Sequence, residues 1–212
     1  MSIQLNDPEV ACYIVRHGQT VLNQTHRFRG AANPALDETG IKQAHALAHL
    51  FEPIEISHIF CSDKQRSIKT ANIIAGAKGI KVHSSSSLNA LNVGEFSGQK
   101  RTPESEAALE VYLKDPGTQI PGGESLSDFQ ARIRPCIQEA VEMYFQCGTP
   151  PLLVAHSSVV HEVGTLVAND HNAKLVEPGG VLAVFYKNGK LDADAIYRPL
   201  KSNPKSHSET IT

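Results

Sequence analysis

Hydrophobic positions along the chain fall into short continuous runs separated by stretches with helical spacing. Ala11–Val15 is apolar throughout and stops abruptly at Arg16-His17-Gly18, as a parallel strand buried on both faces would. Asp37-Glu38-Thr39-Gly40 then opens a segment whose Ile41, Ala44, Leu47, Ala48 and Phe51 share one helical face. Ile56–Cys61 reads as a second strand. Ser62-Asp63 starts a helix to about Ala75, closed by Gly76 and Gly79, and Ile80–His83 fits a short third strand. From Ser84 to Gly123 the pattern is less regular and predicts one helix near Glu104–Leu113, ended by Asp115-Pro116-Gly117. Glu124–Gln146 reads as a long helix capped by Ser125 or Ser127, with Pro135 predicting a kink or a division in two. Leu152–Ala155 is another buried-type strand, and His156-Ser157-Ser158 starts a helix to about Ala168. Val181–Tyr186 and Asp192–Ile196 flank Asn188-Gly189, a hairpin signal expected at the sheet edge.

This alternation predicts an α/β fold, a three-layer α/β/α sandwich with a mostly parallel central sheet. One domain is expected over residues 1–200, followed by a polar C-terminal tail over 201–212. Apolar residues at 41% support a sizeable core, and a formal net charge of −2 gives no global attraction to nucleic acid or anionic membrane. Any anion site must be local. No apolar run approaches the roughly 18 residues that cross a bilayer, and the acidic N-terminus does not read as a signal peptide. Cys12, Cys61, Cys136 and Cys147 lack C-x-x-C spacing, and the first two sit in strand-like runs as buried free thiols. A cytoplasmic address is the expectation that follows. Nothing in the pattern fixes the oligomeric state.

Candidate chemistry gathers where strands end, the place open α/β sheets bind ligands. Arg16-His17-Gly18-Gln19-Thr20, with Asn23 beyond, follows the first strand; Arg66 follows the second; His156 follows Leu152–Ala155. A neutral imidazole can attack phosphorus and carry the phosphoryl group covalently, provided its other ring nitrogen is held by an acceptor. Neighbouring cations favour that neutral form. Arg16 and Arg66 suit the equatorial oxygens as guanidinium forks, Gly18 lets backbone approach an anion, and His156 and Ser157 can donate to the same oxygens. Capping is the expected alternative role of Ser157. Such chemistry requires neither metal nor cofactor.

Arg16–Asn23 (RHGQTVLN), Arg27–Gly40 (RFRGAANPALDETG), Ser62–Ala71 (SDKQRSIKTA), Pro121–Ser125 (PGGES) and Val154-Ala155-His156 occur in this order along nearly the whole chain. In these segments the sequence resembles the histidine phosphatase superfamily, which includes cofactor-dependent phosphoglycerate mutases. The resemblance implies a single α/β/α domain, a phosphohistidine intermediate on His17 and a phosphate pocket of Arg16, Asn23, Arg66 and His156. The implied activity is hydrolysis of a phosphoric monoester or phosphohistidine, in a phosphorylated small molecule or a phosphoprotein. The alternatives are a mutase-type phosphotransferase and a catalytically weak phosphate-recognition module.

One position departs from that pattern. The family usually carries its proton donor as the Glu of L-x-E-x-x-x-G, whereas Leu88–Gly94 places Ala90 there. General acid help is worth about 10²–10⁴-fold, and three explanations stay open. Another carboxylate substitutes, Glu95 being the nearest in sequence; or the leaving group needs little protonation, as in an acyl phosphate or phosphohistidine; or phosphate is bound without rapid turnover. Arg29, Lys100 and Arg101 lie in loops placed to overhang the pocket, and His161 reads as a surface or packing residue.

Overall fold

The computed structural model describes residues 7–168 and 176–199. Its sheet contains β1 (Val10–Arg16), β2 (Ile59–Ser62), β3 (Val82–Ser85), β4 (Leu152–Ala155), β5 (Val181–Lys187) and β6 (Lys190–Tyr197) in the order β3-β2-β4-β1-β5-β6. The β3/β2, β2/β4 and β4/β1 pairs are parallel; β5 and β6 are antiparallel additions at one side. The helices are α1 (Val21–Gln24), α2 (Glu38–Phe51), α3 (Gln65–Lys78), α4 (Pro103–Lys114), α5 (Leu126–Cys147) and α6 (Ser157–Ala168).

Pleating explains why β1 is apolar at successive positions. Tyr13 and Val15 point to one face and pack with Leu47 and Phe51 of α2 and Ile74 of α3; Cys12 and Ile14 point to the other, with Phe129 and Ile133 of α5 and Val159 of α6. Two hydrophobic cores therefore sandwich one sheet, giving the expected three layers. All four cysteines are free, and burial lifts the Cys12 thiol to about 12. Among the described residues no helix is long and apolar enough to cross a membrane.

The differences from expectation are local. β2 begins at Ile59, because its partner β4 begins at Leu152 and the two are in register; Ile56 is still buried in the core. β3 sits two residues later than Ile80–His83, paired through Val82↔Ile59. The third helix runs through the exposed Gly76 and ends at Gly79, which takes the left-handed conformation (φ 66°). α5 is one helix despite Pro135: the ring lies on its exposed side, where the carbonyl deprived of a partner faces water. Ser125 is its cap, accepting from Asp128 N–H at 3.1 Å. Asn188 and Gly189 both take positive φ (51° and 77°), the requirement of a type I′ hairpin. On the hairpin side the edge strand is β6, since β5 is paired on both sides; β3 is the opposite edge. The expected polar tail and the end of the domain at residue 200 lie outside the described residues.

The strap after β1 is set by backbone packing. A Cβ on Gly18 would collide with the Gly40 carbonyl oxygen, and one on Gly40 with the Gln19 carbonyl oxygen. Gly18 is therefore required to be glycine where this strap crosses the first turn of α2 at backbone contact distance. Asp37 caps α2 through Gly40 N–H (2.8 Å), and Gln43 Oε1 accepts from Gln19 N–H (2.8 Å), so the crossing is pinned from both sides. Gly40→Ala should lower stability by about 1–3 kcal/mol as overpacking does, whereas Gly76→Ala, in open space on α3, should raise it by about 0.5–1 kcal/mol. Urea unfolding of the two variants checks the opposite signs.

Candidate active site

Strand pairing brings the distant histidines together. Arg16 is in register with Ala155 across the parallel β1/β4 pair, and the ladder continues through His17 N–H donating to Ala155 O at 3.0 Å. His17 and His156, the next residues of each strand, thus become neighbours with ring centroids 5.1 Å apart. β2 lies on the other side of β4, so Ser62 at its end and Arg66 on the first turn of α3 complete the group.

Hydrogen bonds to Arg66 dictate the state of both rings. A guanidinium only donates. Arg66 Nε lies 3.2 Å from His17 Nε2 and Arg66 Nη2 lies 3.3 Å from His156 Nδ1, so both nitrogens must be lone-pair acceptors. The protons then sit on the opposite nitrogens: His17 Nδ1 donates to the Gly18 carbonyl (2.6 Å), and His156 Nε2 to Ser62 Oγ (2.7 Å). Both imidazoles are neutral in this arrangement. Burial, then the His156 ring and the Arg66, Arg29 and Arg16 guanidiniums, hold His17 well below its ordinary 6.5; burial and the same three arginines, with Lys64, do so for His156.

The surrounding charge is predominantly positive. Burial and Arg29 pull Arg16 down to about 9, with Arg101 adding and Glu177 opposing; burial and Arg101 bring Arg29 to about 10, and burial and Arg29 bring Arg66 to about 10. All three remain protonated at neutral pH, and among the described residues none forms an ion pair. Arg66 Nη1 donates to Ala32 O (2.8 Å) and Arg16 Nη1 to Val176 O (2.7 Å), while Arg16 Nε is buried with no partner among the described residues. Such a cluster of desolvated cations is suited to an anion with several oxygens.

Of the residues expected at the site, Arg16, His17, Arg66 and His156 converge. Ser157 is not a cap: it lies inside the first turn of α6, and its Oγ accepts from Arg29 Nη2 at 3.2 Å. Asn23 is half-buried one short helix away, its Oδ1 accepting from Thr20 N–H (3.1 Å) and Thr20 Oγ–H (2.9 Å), so this oxygen shapes the turn after the strap. Glu95 is exposed in a 3₁₀ turn, Gly94–Phe96. Sequence reasoning missed Ser62 as the partner of His156, and Thr70, which accepts from Gly18 N–H (3.2 Å) while donating to Arg66 O (2.8 Å). Thr70 stands one helical turn after Arg66, a spacing that could have pointed to it.

A cavity of about 550 Å³ opens beside His156, lined by Ala90, Arg29 and Arg101 at one end and by α4, α5 and α6 along its sides. Lys100 does not line it; His161, expected as a surface or packing residue, does. The loop carrying Ala90 is held by Arg132, which donates to the carbonyls of Ser87 (3.0 Å), Asn89 (2.9 Å) and Ala90 (2.9 Å) and forks onto Glu124 (2.7 and 3.0 Å). Glu124 in turn accepts from Asn92 N–H at 2.8 Å. Pro121–Ser125 therefore braces the wall of the cavity and caps α5, with no contact to the histidines.

An α/β/α domain gathers two neutral imidazoles, two buried guanidiniums and the half-buried Arg29 where its parallel strands end, an arrangement suited to an anion with several oxygens. The family model for the histidine phosphatase superfamily (branch 1) matches residues 12–175, and the chain belongs to that superfamily. Its members are phosphatases and mutases that use a histidine nucleophile. A Yersinia pestis protein named "Probable phosphoglycerate mutase GpmB" is 35% identical over 148 residues, 68% of each chain. Among solved structures, a phosphoglycerate mutase from Bacillus anthracis matches at TM-score 0.72 and 25% identity, covering 89% of this chain and 94% of its own. A mycobacterial glucosyl-3-phosphoglycerate phosphatase matches at TM-score 0.73 and 23% identity, covering 88% and 97%, and shows the shared fold.

The buried neutral histidines make stability depend on pH. Unfolded, His17 and His156 take up protons as pH falls through 6.5; folded, they resist until well below it, so the unfolded state binds more protons and stability falls. Between pH 7 and 5 the urea midpoint should decrease, at up to about 1.4 kcal/mol per pH unit for each histidine. His156→Asn should flatten the slope.

Proposed function

We propose that the protein is a phosphatase that passes the phosphoryl group through a phosphohistidine on His17. The observation that carries this reading is the fixed tautomer: Nδ1–H is tied to the Gly18 carbonyl, and the Nε2 lone pair lies among three guanidiniums without carboxylate partners. Nε2 accepts from Arg66 Nε. A phosphate oxygen is the better acceptor for that N–H, so substrate binding turns the guanidinium onto phosphate and frees the lone pair. Nε2 then bonds to phosphorus as the P–O bond to the leaving group breaks, its electron pair departing with that oxygen. Arg16, whose Nε has no partner among the described residues, and Arg66 balance charge on the equatorial oxygens, and His156 joins them once the dianion has drawn a proton onto its Nδ1. Water next attacks phosphorus, the P–N electrons return to Nε2, and phosphate is released.

Hydrolysis is favoured over mutase chemistry because Ala90 stands where the family carries its proton donor and the sequence shows no obvious long insertion to shield a phosphohistidine from water. The substrate we favour is a phosphorylated small molecule acted on in the cytoplasm, where buried free thiols such as Cys12 and Cys61 stay reduced.

Release of phosphate from an aryl phosphate and a phosphohistidine peptide should fall by at least about 10³-fold in His17→Ala. Labelled phosphate should be trapped on the wild-type protein by a quench without acid, and not on the variant. Retained phosphate binding with no turnover would leave only a recognition module. Ala90→Glu should raise turnover of an alkyl phosphate by up to about 10²-fold, the lower range of general acid catalysis, while changing an aryl phosphate little.

A further inference from the structure

The cavity beside His156 is much longer than a phosphoryl group requires. Ser157, Ser158, His161, Glu162 and Thr165 all line it. That spacing is one face of α6, and the helix advances about 12 Å from Ser157 to Thr165 at 1.5 Å per residue. Leu109 and Leu113, one turn apart on α4, and Phe129 on α5 supply apolar walls, with the Phe28 ring near the phosphate end beneath the Arg101 guanidinium (4.9 Å). Cations thus stand at one end of a hydrocarbon trench. Glu162, the one carboxylate among the described lining residues, lies roughly 9 Å along α6 from His156. It is buried and already accepts from Gln130 Nε2 (3.1 Å) and Arg134 Nη2 (3.5 Å).

We propose that this trench is the leaving-group subsite and that the substrate is a small-molecule aryl phosphate, the monoester of an elongated and largely apolar phenol. The proposal rests on the phosphatase reading above and adds the substrate class. Length is the first support. A volume of about 550 Å³ fits a drug-sized ligand, whereas a phosphorylated three-carbon acid would occupy only the mouth. Lining is the second: beyond the mouth, where Arg29 and Arg101 stand, a flat ring meets Phe28, Phe129, Leu109 and Leu113. Chemistry is the third. With Ala90 at the wall and Glu162 a turn and a half or more beyond His156, no carboxylate lining the cavity stands at the scissile oxygen. A phenol titrates near 10 against about 15.7 for water, so its oxygen departs as phenolate with the P–O electron pair and takes a proton from solvent afterwards.

Steady-state assays with glycerate 3-phosphate, phenyl phosphate and 2-naphthyl phosphate, alongside calorimetry with phenyl- and naphthylphosphonate, test this. Burying a second ring should raise kcat/KM and phosphonate affinity by roughly tenfold, and both aryl esters should exceed the glycerate ester by about 10²-fold or more, the general-acid deficit that a phenolate avoids. Thr165→Phe, which fills the far end, and Leu113→Asp, which charges the wall, should each cut the naphthyl-to-phenyl ratio by about tenfold, with circular dichroism confirming the fold. Glycerate phosphate turned over as well as the naphthyl ester, or a ratio unmoved in both variants, overturns the proposal. Turnover with a flat phenyl-to-naphthyl ladder overturns the trench alone. Tenfold tighter naphthylphosphonate without turnover of any ester supports the trench and overturns the phosphatase reading.

Discussion

The fully buried guanidinium of Arg66 is the interaction on which the site depends. It donates to His17 Nε2 and His156 Nδ1 together, and that double donation fixes where both imidazole protons reside. A charge buried without a carboxylate ordinarily costs several kcal/mol. Here the cost is offset by neutral acceptors, the two rings and the Ala32 carbonyl, and is aggravated by Arg16 and Arg29 nearby. The site is consequently rich in positive potential and poor in compensation, a condition that a dianion would relieve. Electrostatic preorganisation of this kind does its work before substrate arrives.

The sheet explains how residues far apart in sequence reach one guanidinium. β4 lies between β1 and β2, so the carboxyl ends of three parallel strands meet side by side, and His17, Ser62 and His156 leave them within hydrogen-bonding range of one another or of Arg66. α3 then returns along the sheet and presents Arg66 from its first turn. No loop has to be long to build this. The phosphate end is made by strand ends and is rigid, while the trench is made by three helices and can vary in length and lining without disturbing it.

Much of this was legible because burial on both faces leaves an unambiguous mark. Ala11–Val15 and Leu152–Ala155 read as central strands since every position in them is apolar, and each ends in a chemically conspicuous pair, Arg16-His17 and Ala155-His156. Features that arise from contact between distant backbones left no such mark. Gly18 and Gly40 are each ordinary loop glycines in sequence, and only the crossing of the strap over α2 shows that they need one another. Pro135 predicted a kink or a division in two, and the division does not occur, its ring falling on the solvent face of α5. Glu162 carries no mark in the sequence, since its burial in the cavity depends on Gln130 and Arg134 from another element.

Arg132 grips the loop at 87–90 through three carbonyl oxygens and touches none of its side chains there. Backbone acceptors are common to all amino acids, so the frame of that loop is indifferent to what residue 90 carries. Descent from a common ancestor could therefore exchange an acid for a methyl at this point without refolding costs, and later restore it. The brace separates the frame of this wall from its side chains, so the group offered at position 90 can change while the frame stays in place.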